Sequence, residues 1–443
     1  MEKIKNKGWT VTFAGLGINL ALGILYAWSI FKATIEASIK AGGEGAFTWS
    51  LTQLNDPYSV CCLVFAFSMI LAGKCQDKFG PRITAFIGGI LVGSGLIMIS
   101  QTTSYTAWVL GFGVLAGAGM GFGYSAATPP GLKWFPASKT GLIAGLIVAG
   151  FGLAPVYIAP LSEYLIKGFG VEKAMLVYGV SFIGVVCGLA LLLVNPPAGY
   201  VATETGAAAG KKKAALNDVN WLDAIKTLNF WKLWLIYFVG AGAGLMVISS
   251  VAGMAKKSMG ELAFIAVAIM AIGNAGGRII TGVLSDKFGR NQTIFAVHIF
   301  QGILMLAAIP LIGSPNTSAV LIVILATFIG FNYGANLALF PSITKDLWGI
   351  KAYGVNYGIL FTAWGVGGFV LSKVSQMLNA TTGSMTSSFL MAAILLSISG
   401  MITLSLGKKA APVQEGAILQ PGLGLTMADG GEKIEEKDQK KKS

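Results

Sequence analysis

Long apolar runs parted by short polar segments recur from Trp9 to about residue 406. A hydrocarbon core of ~30 Å is crossed by ~20 apolar residues in a helix. That ruler predicts twelve helical spans, at 9–33, 57–76, 83–102, 106–130, 140–166, 173–195, 229–255, 261–285, 292–313, 317–341, 353–378 and 384–406. An even count puts both termini on one side. The first run follows Lys3, Lys5 and Lys7, exceeds a signal-peptide core and has no small-x-small cleavage site behind it, so it is read as an uncleaved helix.

The longest interruption separates spans six and seven. It holds Pro196-Pro197, the Ala/Gly-rich run Ala207 to Gly210 and Lys211-Lys212-Lys213, the composition of a flexible linker. The chain therefore divides into a six-helix bundle over 1–195, a linker over 196–228, a second six-helix bundle over 229–407 and a tail over 408–443. The tail ends in a mixed charge run with few apolar residues, which predicts disorder.

Composition agrees with a membrane solvent. Charged residues are 12% of the chain against ~25% in soluble proteins, and 54% are apolar. The 60 glycines suit helices whose backbones approach closely in lipid. A net charge of +13 taken alone suggests a nucleic-acid binder, but the basic residues punctuate the apolar runs and build no basic module. Of the 32 lysines and arginines, 24 fall on the side of the termini and six on the other, with Arg278 and Lys373 inside spans. The positive-inside rule then places both termini in the cytoplasm of a cell whose plasma membrane the chain spans. Cys61, Cys62, Cys75 and Cys187 form no CxxC pair, so neither a disulfide framework nor a metal site is expected, and no cofactor motif is present.

An internal repeat supports the halving. Asp77-Lys78-Phe79-Gly80, between spans two and three, recurs 209 residues later as Asp286-Lys287-Phe288-Gly289, between spans eight and nine. Internal duplication with a midplane site between the halves is characteristic of secondary transporters. Twelve spans, a central linker and a repeated G-x-x-x-D-[KR]-x-G-[RP] loop resemble the major facilitator superfamily. That resemblance implies an all-α fold of two six-helix halves. It also implies a cytoplasmic gate formed by Asp77, Lys78, Arg82, Asp286 and Arg290.

Arg278 lies eight residues before Asp286, hence ~12 Å inside the end of span eight. A charge at that depth costs ~2.5–3.5 kcal/mol on insertion scales and needs a partner or a wet cavity. No Asp or Glu falls in mid-span, so a substrate carboxylate is the expected partner for its fork of donors. Lys373 is close enough to the outer end of span eleven to snorkel, and His298, the sole histidine, is expected to be a satisfied or peripheral residue. Asn19 and Tyr26 in span one, Tyr124 in span four, Tyr333 in span ten, and Tyr357, Phe361 and Trp364 in span eleven are candidate cavity residues, with Asn274 beside Arg278.

Within the superfamily, Tyr26-Ala27-Trp28, the Gly-rich stretch Gly117 to Tyr124, Lys133-Trp134-Phe135-Pro136, Leu339-Phe340-Pro341-Ser342 and Asn356-Tyr357-Gly358 look like the branch of oxalate/formate antiporters and monocarboxylate transporters, including prokaryotic lactate carriers. By that resemblance Arg278 is the carboxylate-binding arginine and Tyr26 and Tyr124 are cavity tyrosines. Two departures refine the expectation. Trp364 stands where oxalate carriers place a second cation, so one fixed charge favours a monoanion. Asn274 stands where animal-type carriers place a proton-sensitive Asp. The expected activity is proton-coupled symport of a small monocarboxylate such as lactate or pyruvate, by a chain acting as a monomer with carboxylate and proton as partners and no nucleic acid. An oxalate/formate-type exchanger and a transporter-like nutrient sensor are the alternatives. A membrane enzyme is not expected: the chain has no HExxH motif, no paired mid-span carboxylates and no nucleophile with its base.

Overall fold

The computed structural model describes residues 6–43, 45–50, 53–54, 56–197, 199–200, 202, 218–259, 263–312, 318–382 and 384–406. In chain order the helices are α1 (Gly8–Ala41), α2 (Asp56–Phe79), α3 (Pro81–Ile99) and α4 (Tyr105–Trp134). Thr140–Ala190 turns a corner at Gly170, whose φ of 83° is left-handed, and so supplies two spans, α5 (140–169) and α6 (171–190). Then follow α7 (Leu228–Met259), α8 (Ala263–Phe288), α9 (Arg290–Ile312), α10 (Ala319–Trp348), α11 (Tyr353–Thr382) and α12 (Thr386–Leu404). Among the described residues the architecture is all helical with twelve spans, each overlapping its predicted place. Residues 203–217, with Ala207 to Gly210 and the lysine triplet, and the tail from 408 lie outside the described residues.

The largest departure is α1, which continues to Ala41 where the apolar run suggested an end at residue 33. The added turns are polar, and Lys40 pairs with Glu36 one turn back at 2.6 Å, a spacing that supports helix beyond the membrane. Two spans are also locally irregular. Helix α1 tightens to a 3₁₀ segment over Gly23–Ala27, and α4 widens to π geometry over Val109–Ala116. Such breaks re-aim the side chains that follow.

Helices α2 and α5 of the first half pack on α11 and α8 of the second. Lipid supplies no hydrophobic drive for this union, so close backbone contact must. A Cβ on Gly73 would stand 2.2 Å from the Gly354 carbonyl oxygen, and one on Gly141 would stand 2.2 Å from that of Gly282. Glycine meets glycine at both crossings. Away from them, Phe86, Ile90, Val180, Ile272, Ile303 and Ile394 are exposed on the helix surfaces, as a lipid-facing belt requires.

The corner after each Asp-Lys-Phe is made by a left-handed glycine, Gly80 at φ 84° and Gly289 at φ 94°. This explains the fourth residue of the repeat, since a Cβ is strained there. Near the end of the linker, Asp218 accepts the backbone N–H groups of Ile350 and Lys351 at 3.0 and 3.1 Å, pinning the chain to the α10–α11 turn.

Gly282→Val should therefore cost about 1–3 kcal/mol by overpacking, read as a lower Tm of the purified protein. Gly184→Val, where an added Cβ meets nothing within 4 Å, is the control. Equal Tm values for the two variants would contradict the backbone contact.

Candidate functional site

The two aspartates of the repeat do the same thing in opposite directions. Asp77, at the end of α2, accepts the N–H groups of Gly354 and Val355 at 3.2 Å each, at the start of α11. Asp286, at the end of α8, accepts those of Gly141 and Leu142 at 3.0 and 3.1 Å, at the start of α5. The first N–H groups of a helix have no partner within it, and the helix dipole favours a negative charge there. Each carboxylate thus caps a helix of the other half and closes this face of the molecule.

The basic residues named with them divide. Arg290 reaches Asp286 at 2.7 Å and Asp346 at 2.8 Å, its side chain 10% exposed, and also donates to the Ser285 hydroxyl. Arg82 is exposed and makes no ion pair among the described residues. Sequence explains the difference. Arg290 directly follows Gly289, whereas Pro81 holds that place after Gly80 and pushes Arg82 one residue on, about 100° around the helix. Lys78 is also exposed, over the Phe79 ring at 5.2 Å. Two further residues that bind across this face carried no sequence signal beyond charge. Lys345 donates to the Leu132 carbonyl at 3.2 Å and the Thr140 hydroxyl at 3.0 Å across the halves, and Asp346 holds Arg290.

Arg278 is completely buried where α8 crosses α5. Its Nε donates to Asn274 Oδ1 at 2.9 Å, one turn away, and its Nη1 donates to the Val148 carbonyl of the other half. Among the described residues Nη2 makes no formed hydrogen bond, and no carboxylate pairs with the group. Gly152 lies against the guanidinium, where a Cβ would stand 3.1 Å from Nε. A buried donor left unmade costs ~1–3 kcal/mol, more for a charged group.

Tyr26 sits in the 3₁₀ segment of α1 and meets Tyr333 of α10, oxygen to oxygen, at 2.6 Å. Trp364 donates its indole N–H to the same Tyr333 oxygen at 2.9 Å. These three residues join the halves beside Arg278, which comes close enough to the Tyr26 phenol to interact with it as a donor and as a charge, and reaches Tyr333 as a charge alone. Tyr26 and Asn274 also share a small cavity with Gly152, Pro155, Met270 and Ala271, with a volume of ≈ 20 Å³. That holds about one water, so a substrate must part these walls to enter.

Phe361 is the hub of the remaining candidates. Its ring lies 5.5 Å from Tyr124, 5.6 Å from Tyr357 and 5.1 Å from Trp364, centroid to centroid. Phe65 and Phe151 complete the cluster, the latter edge-on to both Tyr26 and Tyr124. Neither Phe65 nor Phe151 differed in sequence from any packing phenylalanine. Asn19 turns elsewhere: its amide donates to the Ile147 carbonyl at 2.9 Å and ties α1 to α5 within one half. His298 is buried with both ring nitrogens engaged, by Ser399 and Asn336 at 2.9 Å each. Lys373 is exposed.

A family model described as Major Facilitator Superfamily matches residues 8–372. The chain belongs to the Major Facilitator Superfamily. It is a multi-pass membrane transporter and not an enzyme. An oxalate:formate antiporter from Oxalobacter formigenes is 29% identical over 362 residues, spanning 81% of each chain. An uncharacterized MFS-type transporter, YhjX, from Escherichia coli is 27% identical over 81% of this chain and 85% of its own. The apicoplast pyruvate carrier 1 of Toxoplasma gondii is 24% identical over 86% of each chain. Among solved structures, the superfamily transporter FucP in its outward conformation aligns at a TM-score of 0.63 with 15% identity, covering 90% of this chain and 99% of its own, which speaks to the fold alone.

The capping geometry makes a graded prediction. With a cysteine at Thr140, whose side chain is buried between the halves, and Cys75 and Cys187 replaced by serine, labelling by a water-soluble maleimide reports opening of this face. Asp77→Asn should speed labelling severalfold, since losing a cap costs about 0.5–2 kcal/mol. Asp286→Asn should speed it more, because it also frees Arg290. Equal, unaltered rates would show that the caps do not hold the face closed.

Proposed function

We propose that this transporter carries a small monocarboxylate of the lactate or pyruvate kind across the plasma membrane, most simply together with a proton. The observation that carries the reading is the Nη2 of Arg278: a guanidinium at half-depth, held only by neutral oxygens, with one donor unused. A carboxylate supplies the missing charge and accepts that donor. The relatives support the same class, since an oxalate:formate antiporter and a pyruvate carrier are among them.

In the proposed cycle the two halves, 1–195 and 229–407, rock about Arg278, with both termini in the cytoplasm. The face closed by Asp77 and Asp286 is then the cytoplasmic one. Acid enters from outside by parting Tyr26 from Tyr333, and the caps release once the charge of Arg278 is matched. Asn274, Tyr26, Tyr333 and Trp364 shape the anion site, with Tyr124, Tyr357 and Phe361 below them. Trp364 contributes an indole N–H in place of a second cation, which favours one negative charge over two. Asn274 cannot carry a proton and His298 has both nitrogens occupied, so neither of them is the carrier of the coupling proton. The monomer contains every part this mechanism uses.

Exchange of one organic anion for another is the second reading, favoured by the likeness to the oxalate:formate antiporter. In proteoliposomes, Arg278→Ala should lower lactate uptake at least tenfold, the equivalent of a charge-assisted hydrogen bond worth ~1.5–3 kcal/mol, while Tm holds. Arg278→Lys should recover part of the activity, because charge returns without the fork. Near-normal uptake by Arg278→Ala would reject the site. Lumenal acidification during downhill lactate entry marks symport; uptake that requires a trans anion and ignores pH marks exchange.

A further inference from the structure

Three tyrosines around Phe361 stand apart from the other buried tyrosines in having phenol oxygens with no formed hydrogen bond among the described residues, Tyr124 of α4, Tyr237 of α7 and Tyr357 of α11. Their rings lie 5.5, 6.1 and 5.6 Å from that of Phe361, centroid to centroid. All three are buried, and they come from both halves. The Tyr357 phenol lies within interaction range of those of Tyr124 and Tyr237, so the three hydroxyls form one group. Elsewhere buried tyrosines are satisfied: Tyr178 by Ser162, Tyr353 by the Pro341 carbonyl, Tyr333 by Trp364.

Phenylalanine would fill the same space with no polar atom to desolvate. Three hydroxyls gathered at one point, against that cost, need something to bond at some stage of the cycle. A phenol both donates and accepts, so the group it suits is a hydroxyl or carbonyl oxygen. Tyr124 and Tyr237 also lie within Coulombic reach of Arg278, whose Nη2 is unpartnered too. An acid with its carboxylate on Nη2 and a second oxygen on the neighbouring carbon joins the two sets of orphaned groups.

We infer that Tyr237, with Tyr124 and Tyr357, forms a specificity pocket for the 2-oxygen of a 2-hydroxy or 2-oxo monocarboxylate, and so selects such acids over their unsubstituted analogues. The inference rests on the reading that Arg278 takes the carboxylate. Sites built to bond a hydroxyl reject analogues that lack it far better than apolar sites reject a missing methylene. Tyr237, stacked on Phe340 at 4.0 Å and 8°, keeps its ring position when only the oxygen is removed.

The test is binding of lactate and of propionate, which differ by that one oxygen, to the purified full chain, followed by calorimetry. Wild type should prefer lactate at least tenfold. Tyr237→Phe and Tyr357→Phe should each bring the preference down by fivefold or more, with Tm unchanged or raised, because each removes an unpaired buried hydroxyl. A preference that survives both substitutions, or one absent from wild type while Arg278→Ala still weakens both acids, overturns the pocket and leaves the Arg278 site standing. If Arg278→Ala weakens neither acid, the carboxylate site fails and the pocket with it.

Discussion

A positive charge placed at half the depth of the membrane, with neutral oxygens as its only protein partners, is the constraint around which the molecule is arranged. Arg278 is held in place where Gly141, Gly145, Gly152 and Gly282 bring α8 close against α5, and no carboxylate among the described residues neutralises it. Its guanidinium already spends two donors on Asn274 and on the Val148 carbonyl. The Val148 bond is made to the opposite half, so in the proposed cycle binding and closure would act on one side chain.

The gate is built from the same economy of parts. Two aspartates related by the internal repeat each cap a helix start in the other half, accepting four backbone N–H groups between them, so this face is closed without any added folded element. The symmetry is imperfect in a useful way. Arg290 ties Asp286 to Asp346, while Pro81 diverts Arg82 from Asp77. One cap is reinforced by a formed ion pair, while the other has only the more distant charge of Lys133 beside it.

Tyrosine chemistry separates two layers of the centre. Tyr26, Tyr333 and Trp364 satisfy one another across the halves and so favour the closed arrangement on their own. The three phenols around Phe361 have no formed hydrogen bond among the described residues. In the proposed cycle the first layer would part and the second would receive the acid.

Hydropathy alone determined the twelve spans and their order, because the length of an apolar helix is set by the membrane and needs no knowledge of neighbours. The repeat was equally legible, and Arg278 stood out because a charge in an apolar run is rare for an energetic reason. Extra turns on α1 escaped the apolar ruler, since Glu36 and Lys40 support helix without hydrophobicity. The candidate site was legible only in part. Asn19 and Tyr26 lie seven residues apart on one helix, yet the 3₁₀ break between them turns Tyr26 to the centre while Asn19 binds α5. Phe65, Phe151, Tyr237, Lys345 and Asp346 look in sequence like any packing aromatic or loop charge. Which side chains face one another, and which polar atoms are left without a partner, was decided by the meeting of helices from distant parts of the chain, and local pattern carries no record of that.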